Sequence, residues 1–234
     1  KVFSFHNSSN QNLPAINRQI EGIDTYEISS QLNLGLAGGY NALLELIDKL
    51  QPKGVIFLNA DCVVTEMYFQ QVFKNMSTSK IIVPRLISKK KQISPFNKRG
   101  FDYIFYIIGF MCVNFSVIKK VRFPEKFWLD GIDYWFSKII AQKNIDVKVL
   151  NLNIDHNLSM SDNYNFLSLK RYKNILQSEY TFINNEIVAP IKKTLLLFEV
   201  FGRALIKSIL RRRFDFSIAI FFFIIEKTFK KNKK

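Results

Sequence analysis

Cysteine is nearly absent. Cys62 and Cys112 are the two in the chain, and neither stands at a spacing that builds a zinc site or a redox pair. That excludes a disulfide-stapled secreted scaffold and fits reduced core thiols in a cytosolic protein. Acid is scarce as well: 19 Asp and Glu face 34 Lys and Arg, for a formal net charge of +15. Residues 1–10 hold no apolar stretch that could serve as a secretory signal. The apolar run at 217–225 is too short to cross about 30 Å of hydrocarbon. Internal repeats are missing too, so no stacked-repeat architecture applies.

What is present is apolar and basic. Hydrophobic residues make up 48% of 234, enough for one α/β domain with an appendage. The charge is unevenly placed: residues 170–234 hold fifteen Lys and Arg against five Asp and Glu. That quarter is also rich in Phe, Leu and Ile. Basic and strongly apolar together point to an anionic membrane surface rather than to nucleic acid.

Along the chain, short apolar stretches alternate with helical patterns. Strands are expected at 2–5, 26–28, 55–58, 81–83 and 147–152. Helices are expected near 13–20, over 41–50 (Leu43, Leu46, Ile47, Leu50 on one face), and from a Thr65 cap through about Lys74. Residues 88–99 read as a basic loop, 103–115 as strand-rich, and everything from 162 onward as helical. This pattern predicts an α/β sheet, mainly parallel, with helices on both faces.

Two pieces carry the chemistry. Asn33-Leu-Gly-Leu-Ala-Gly-Gly-Tyr-Asn41 reads as a glycine-rich turn feeding a helix. About twenty residues on, an apolar strand ends in Leu58-Asn-Ala-Asp61 and delivers a carboxylate. A nucleotide diphosphate needs both, backbone N–H groups near its oxygens and an acid for the neutralising metal. Downstream lie Phe127-Trp-Leu-Asp-Gly-Ile-Asp-Tyr-Trp135 and Asp155-His156.

As a set, from about residue 2 to about 175, these pieces resemble the family 2 glycosyltransferases of GT-A fold, in their bacterial rhamnosyltransferase-like branch. The resemblance implies a mixed, mainly parallel, Rossmann-like sheet over residues 1–160 and a helical, basic, amphipathic extension over 161–234. The chain opens on Lys1 and reads at once as a strand, so a first strand is expected to be missing ahead of it. The resemblance implies an inverting transfer from a nucleotide-diphosphate sugar donor to a glycan or lipid-linked acceptor in surface polysaccharide assembly. Asn59-Ala-Asp61 occupies the place of the DxD-type motif, so Asp61 would bind Mg2+ or Mn2+, with Asn59 where the family often has Asp. His6 and Asn7 fall at the second-strand end, His6 in place of the usual Asp. These two, Asn33, Gly35, Gly38, Gly39, Asn41 and Asn59 would line the nucleotide site. His156 would contact the metal or the leaving diphosphate. A carboxylate of the acidic turn would deprotonate the acceptor hydroxyl; Asp133 is the first choice and Asp130 the alternate or support.

In the tail, Ile191, Leu195, Phe198, Leu205 and Ile209 share one helical face, with Lys192, Arg203, Lys207 and Arg211 roughly opposite. An in-plane membrane contact is expected, which places the protein on the inner face of the plasma membrane. A helix packed on the catalytic domain and a homodimer contact stay open. Two other functions stay open as well: a sugar-phosphate nucleotidyltransferase, and an inactive membrane-associated binding protein on a degenerate transferase scaffold.

Overall fold

The computed structural model describes residues 1–6, 25–30, 32–59, 62–97, 100–156 and 167–231. Asn7, the helix expected near 13–20 and Asp61 lie outside the described residues.

Strands β1 (Val2–His6) and β2 (Thr25–Ser29) pair in parallel. Helix α1 (Gly35–Asp48) follows and leads to β3 (Gly54–Phe57). Helix α2 (Glu66–Asn75) starts at Thr65, whose side chain accepts a bond from the Tyr68 N–H, as the sequence suggests. Next come β4 (Ile81–Ser88), β5 (Lys91–Ser94), β6 (Phe96–Asn97), β7 (Ile104–Phe105) and β8 (Met111–Asn114). The short α3 (Phe115–Ile118), then α4 (Ile132–Gln142) and β9 (Val147–Asp155), complete the α/β part. Three long helices end the chain: α5 (Leu169–Glu186), α6 (Pro190–Leu210) and α7 (Phe214–Lys231).

The larger sheet runs β3-β8-β4, with β9 beside β4 and β5 folded back on its upper half. The mainly parallel expectation is corrected here. β1–β2 and β4–β9 are parallel, but β3–β8, β4–β8, β4–β5 and β6–β7 are antiparallel. The chain reverses at Gly109–Phe110, so β8 enters between β3 and β4 running against both. The basic loop expected at 88–99 is also different: β4 and β5 form a hairpin with Ser88 opposite Lys91. Its two-residue turn sets Lys89 at φ 49° and Lys90 at φ 65°, a left-handed pair that matches strand twist.

Alternation along the strands builds a core on each face of this sheet. Ile81 and Val83 of β4, with Met111 and Val113 of β8, join Tyr40 and Leu44 of α1 and Phe136 of α4 in one core. Ile82, Leu86, Phe110 and Cys112 point the other way, against Tyr68 and Val72 of α2. Burial pushes the Cys112 thiol up to about 12, so it stays an inert, reduced side chain. The C-terminal helices are not set apart from this body. Phe182 and Ile183 of α5 and Leu196 and Val200 of α6 sit in the first core. α7 closes over α5, where Tyr172 and Phe216 stack at 4.0 Å. No helix among the described residues is long and apolar enough to cross a membrane.

Candidate active site

The site is organised by the turn that starts β8. The Met111 N–H donates to the Ile108 carbonyl at 2.8 Å, with Gly109 and Phe110 between them. Phe110 takes φ 89°, a left-handed conformation that costs a side-chain-bearing residue about 1–2 kcal/mol. Three neighbours hold it there. Its N–H donates to the Phe57 carbonyl at 2.7 Å. Its own carbonyl accepts the buried Tyr68 hydroxyl at 2.8 Å. Its ring stands edge-on to His156, centroids 5.3 Å apart. Backbone strain imposed by surrounding structure is a feature of functional turns.

Asn59 and Asp133 meet this turn at adjacent residues. The Asn59 amide lies so close to Gly109 that a Cβ there would stand 2.8 Å from Nδ2. Its Oδ1 accepts the Tyr40 hydroxyl at 3.0 Å. Asp133, in the first turn of α4, accepts the Ile108 N–H on Oδ1 at 3.0 Å. Burial raises the Asp133 carboxyl from its usual value to about 6; the Ile108 N–H opposes that rise and the Asp130 charge adds to it. Ser137, one turn on, donates to the Asp133 carbonyl at 2.6 Å and accepts the Tyr106 N–H at 2.9 Å, which fixes α4 against the strand before the turn. His156 is buried at the end of β9, its N–H on the Ile87 carbonyl at 2.9 Å. Asn59 and Asp133 thus meet the turn at Gly109 and Ile108, while His156 touches the Phe110 ring, which points to the other face of the sheet.

The glycine segment is not a turn. It forms the first turns of α1, which begins at Gly35 rather than near Asn41. Gly35 has φ +69° and its N–H donates to Asn33 Oδ1 at 3.0 Å. The Leu36 N–H donates to the Trp128 carbonyl at 2.6 Å, and Trp128 Nε1 donates to the Asn33 carbonyl at 3.2 Å. The first two N–H groups of α1 are therefore taken up by the chain itself. The glycines permit close packing: a Cβ on Gly39 would stand 2.9 Å from the Phe5 ring, and one on Gly38 2.6 Å from Leu34 Cβ. Asn41 is likewise engaged. Its Nδ2 donates to the Phe123 carbonyl at 2.9 Å and its Oδ1 accepts the Phe123 N–H at 2.8 Å. Neighbours on α1 still tie two predicted pieces together, since Gly39 touches Phe5, which precedes His6, and Tyr40 bonds Asn59.

Asp130 precedes α4 and is gripped by Arg171 of α5. One guanidinium nitrogen bonds Oδ2 and the other bonds Oδ1 at 2.8 Å. At the far end of α5, Glu186 accepts Lys126 at 2.9 Å and Lys138 at 3.0 Å. Burial pulls the Glu186 carboxyl up, but the two ammonium groups outweigh it and leave it below the usual range. Both ends of α5 therefore clamp the segment carrying Asp133. Arg171 carries no sequence signal of this role, since no local pattern connects it to a carboxylate 41 positions away. Arg171→Gln should destabilise the fold by about 1–2 kcal/mol, because the pair is bidentate and largely shielded. Urea unfolding of this variant, of Asp130→Asn and of the double variant checks it. The double variant should cost less than the sum, and simple additivity would show that the two side chains are not coupled.

Comparison with known proteins places the fold. No family model matches the chain, and no curated protein matches it in sequence. Among solved structures, it resembles S. aureus TarS 1-349, with TM-score 0.51 and 12% identity over 99% of this chain and 82% of that one. At that identity the likeness is one of fold alone.

Proposed function

We propose that the chain is an inverting glycosyltransferase of the family 2, rhamnosyltransferase-like kind. It moves a sugar from a nucleotide-diphosphate donor to a glycan acceptor carried on a lipid, at the cytoplasmic face of the plasma membrane. The observation that carries this reading is the convergence of Asn59 and Asp133 on the strained Ile108–Phe110 turn, within a glycosyltransferase-like fold. The donor is assigned to the space beside Asn59, and His6 and Asn7 would border it. Asn33 and the Gly35–Gly39 segment would border it.

The Asp133 carboxylate takes the proton of the acceptor hydroxyl as that oxygen bonds the anomeric carbon. The bond from that carbon to the diphosphate breaks, and the diphosphate leaves with the electron pair. Attack from the face opposite the leaving group inverts the anomeric configuration. A pKa near 6 suits a general base, because the group is ionised at neutral pH yet basic enough to accept a proton. The Ile108 N–H fixes one carboxylate oxygen and thereby aims the other.

For the metal, no group of three His, Cys, Asp or Glu side chains that could hold an ion stands together among the described residues. By its place in the DxD-type motif, Asp61 is the anionic ligand we assign to Mg2+ or Mn2+, with His156 as the further candidate. When bound, the cation would neutralise charge on the diphosphate.

A screen of nucleotide sugars for thermal stabilisation with and without Mn2+, followed by product analysis of any binder, tests the reading. Stabilisation by no nucleotide sugar would sink it. Asp61→Ala should lose the metal-dependent part of that stabilisation. Donor affinity and Mn2+ dependence equal to wild type would remove Asp61 from the site.

A further inference from the structure

Tyr40 decides which edge of the Asn59 amide is left for a ligand. An asparagine side chain carries an acceptor oxygen on one edge and two N–H donors on the other. Tyr40 stands in the second turn of α1 and is 6% exposed. Its ring packs against Phe57, centroids 4.9 Å apart, and Phe123, at 5.4 Å. That packing fixes the hydroxyl, which donates to Asn59 Oδ1 at 3.0 Å. A phenol is a strong donor and a weak acceptor, so it selects the oxygen edge. The Asn59 main chain is held as well. Its N–H donates to Cys62 Sγ at 3.2 Å, and its carbonyl accepts the Cys62 N–H at 3.0 Å. The nitrogen edge lies over Gly109, where a Cβ would stand 2.8 Å from Nδ2 but 3.7 Å from Oδ1. Glycine at 109 leaves the room that the NH2 group occupies. Among the described residues nothing accepts from Nδ2. Asn59 is half-buried, so these two N–H donors remain for a ligand.

Gly109 directly follows Ile108, whose N–H holds Asp133. Under the transferase reading, on which this inference rests, Asp133 takes a proton beside the anomeric carbon. The group bonded to that carbon is a diphosphate, whose oxygens accept hydrogen bonds and donate none. An NH2 edge suits such a group with no cation in between. A carboxylate at position 59 would repel it unless a metal stood between them.

We propose that Tyr40 is a positioning residue: it turns the Asn59 amide so that its NH2 group bonds the diphosphate of the nucleotide sugar directly, rather than through Mg2+ or Mn2+. The full chain is titrated with the diphosphates of uridine, guanosine, thymidine and cytidine, each in EDTA and with Mn2+. The Asn59 side-chain amide signals are followed by nitrogen–proton NMR and assigned by their absence in Asn59→Asp. In EDTA, the nucleotide that binds should move both of these amide proton signals. Asn59→Asp should bind it about tenfold more weakly in EDTA and recover most of that loss with Mn2+. Tyr40→Phe keeps the ring packing and frees the amide to turn, so it should weaken binding in EDTA about fivefold. A merely structural hydroxyl would lower the thermal melt and leave the EDTA affinity alone. A nucleotide that binds without moving the Asn59 amide, or a Tyr40→Phe protein that binds it like wild type in EDTA, overturns the proposal and leaves the transferase reading standing. So does a loss in both variants confined to the Mn2+ titrations, which would make Asn59 a metal ligand. Binding of none of the four nucleotides removes the transferase reading and this proposal with it.

Discussion

The Asp133→Asn protein should transfer sugar about 10²–10⁴-fold more slowly than wild type while binding donor nearly as well. The base acts on the acceptor hydroxyl and touches no part of the diphosphate, so the loss belongs in kcat. The same variant should be more stable at pH 7.5, by about 1–3 kcal/mol. Burial lifts the Asp133 pKa from 3.8 in the open chain to about 6 in the fold, so the fold binds its proton more tightly. The stability associated with the protonated form is complete below about pH 3.8 and is lost as pH rises through about 6. Asn keeps an oxygen to accept the Ile108 N–H and carries no charge to desolvate, so that loss disappears. Glu186 acts with the opposite sign: its lowered pKa gives stability that is present above its open-chain value of 4.5 and declines only as pH falls below that, so it does not act between pH 5 and 7.5. Urea unfolding at pH 5, 6 and 7.5 separates the two. The wild type should gain stability between pH 7.5 and 5, and Asp133→Asn should not. The acid limb of the wild-type rate profile should carry the same pKa near 6. An active Asp133→Asn enzyme would take the proton transfer away from Asp133, and Asp130, held by Arg171, is the next carboxylate to examine.

Much of the scaffold was legible because its signals are local. The segments at 55–58, 81–83 and 147–152 read as strands from their apolar residues alone, and Thr65 ahead of an apolar-periodic run reads as a cap. The two carboxylates of the acidic turn were legible as a pair, and the fold separates them: one is desolvated on the Ile108 N–H, the other is forked by Arg171. What was not legible depends on partners distant in sequence. Three glycines in five positions signal a turn, yet they open a helix because Trp128 and Phe5 press against it. Lys89-Lys90 carries none of the residues that usually mark a two-residue hairpin, and only the pairing of β4 with β5 imposes that backbone. The strained Phe110 is an ordinary apolar residue in the sequence. Its left-handed conformation follows from Phe57, Tyr68 and His156 together.

Gly35→Ala should destabilise the protein by about 3–5 kcal/mol, among the largest effects of any single substitution. At φ +69° an alanine pays about 1–2 kcal/mol in backbone strain alone. Its Cβ would also overlap the Trp128 carbonyl oxygen and stand 2.5 Å from Trp128 Cδ1. That oxygen is the acceptor for the Leu36 N–H, so relieving the overlap breaks a partly buried 2.6 Å hydrogen bond and moves the loop that carries Asp130. Gly202→Ala is the matched control. Gly202 lies in the middle of α6 with nothing within 4 Å of a Cβ, so alanine there should stabilise by up to about 1 kcal/mol through helix propensity. Urea midpoints that move in opposite directions for the two variants would place the function of Gly35 in the contact with Trp128. A Gly35→Ala protein as stable as wild type but unable to bind a nucleotide sugar would instead return that glycine to the donor site, with its backbone close to the diphosphate.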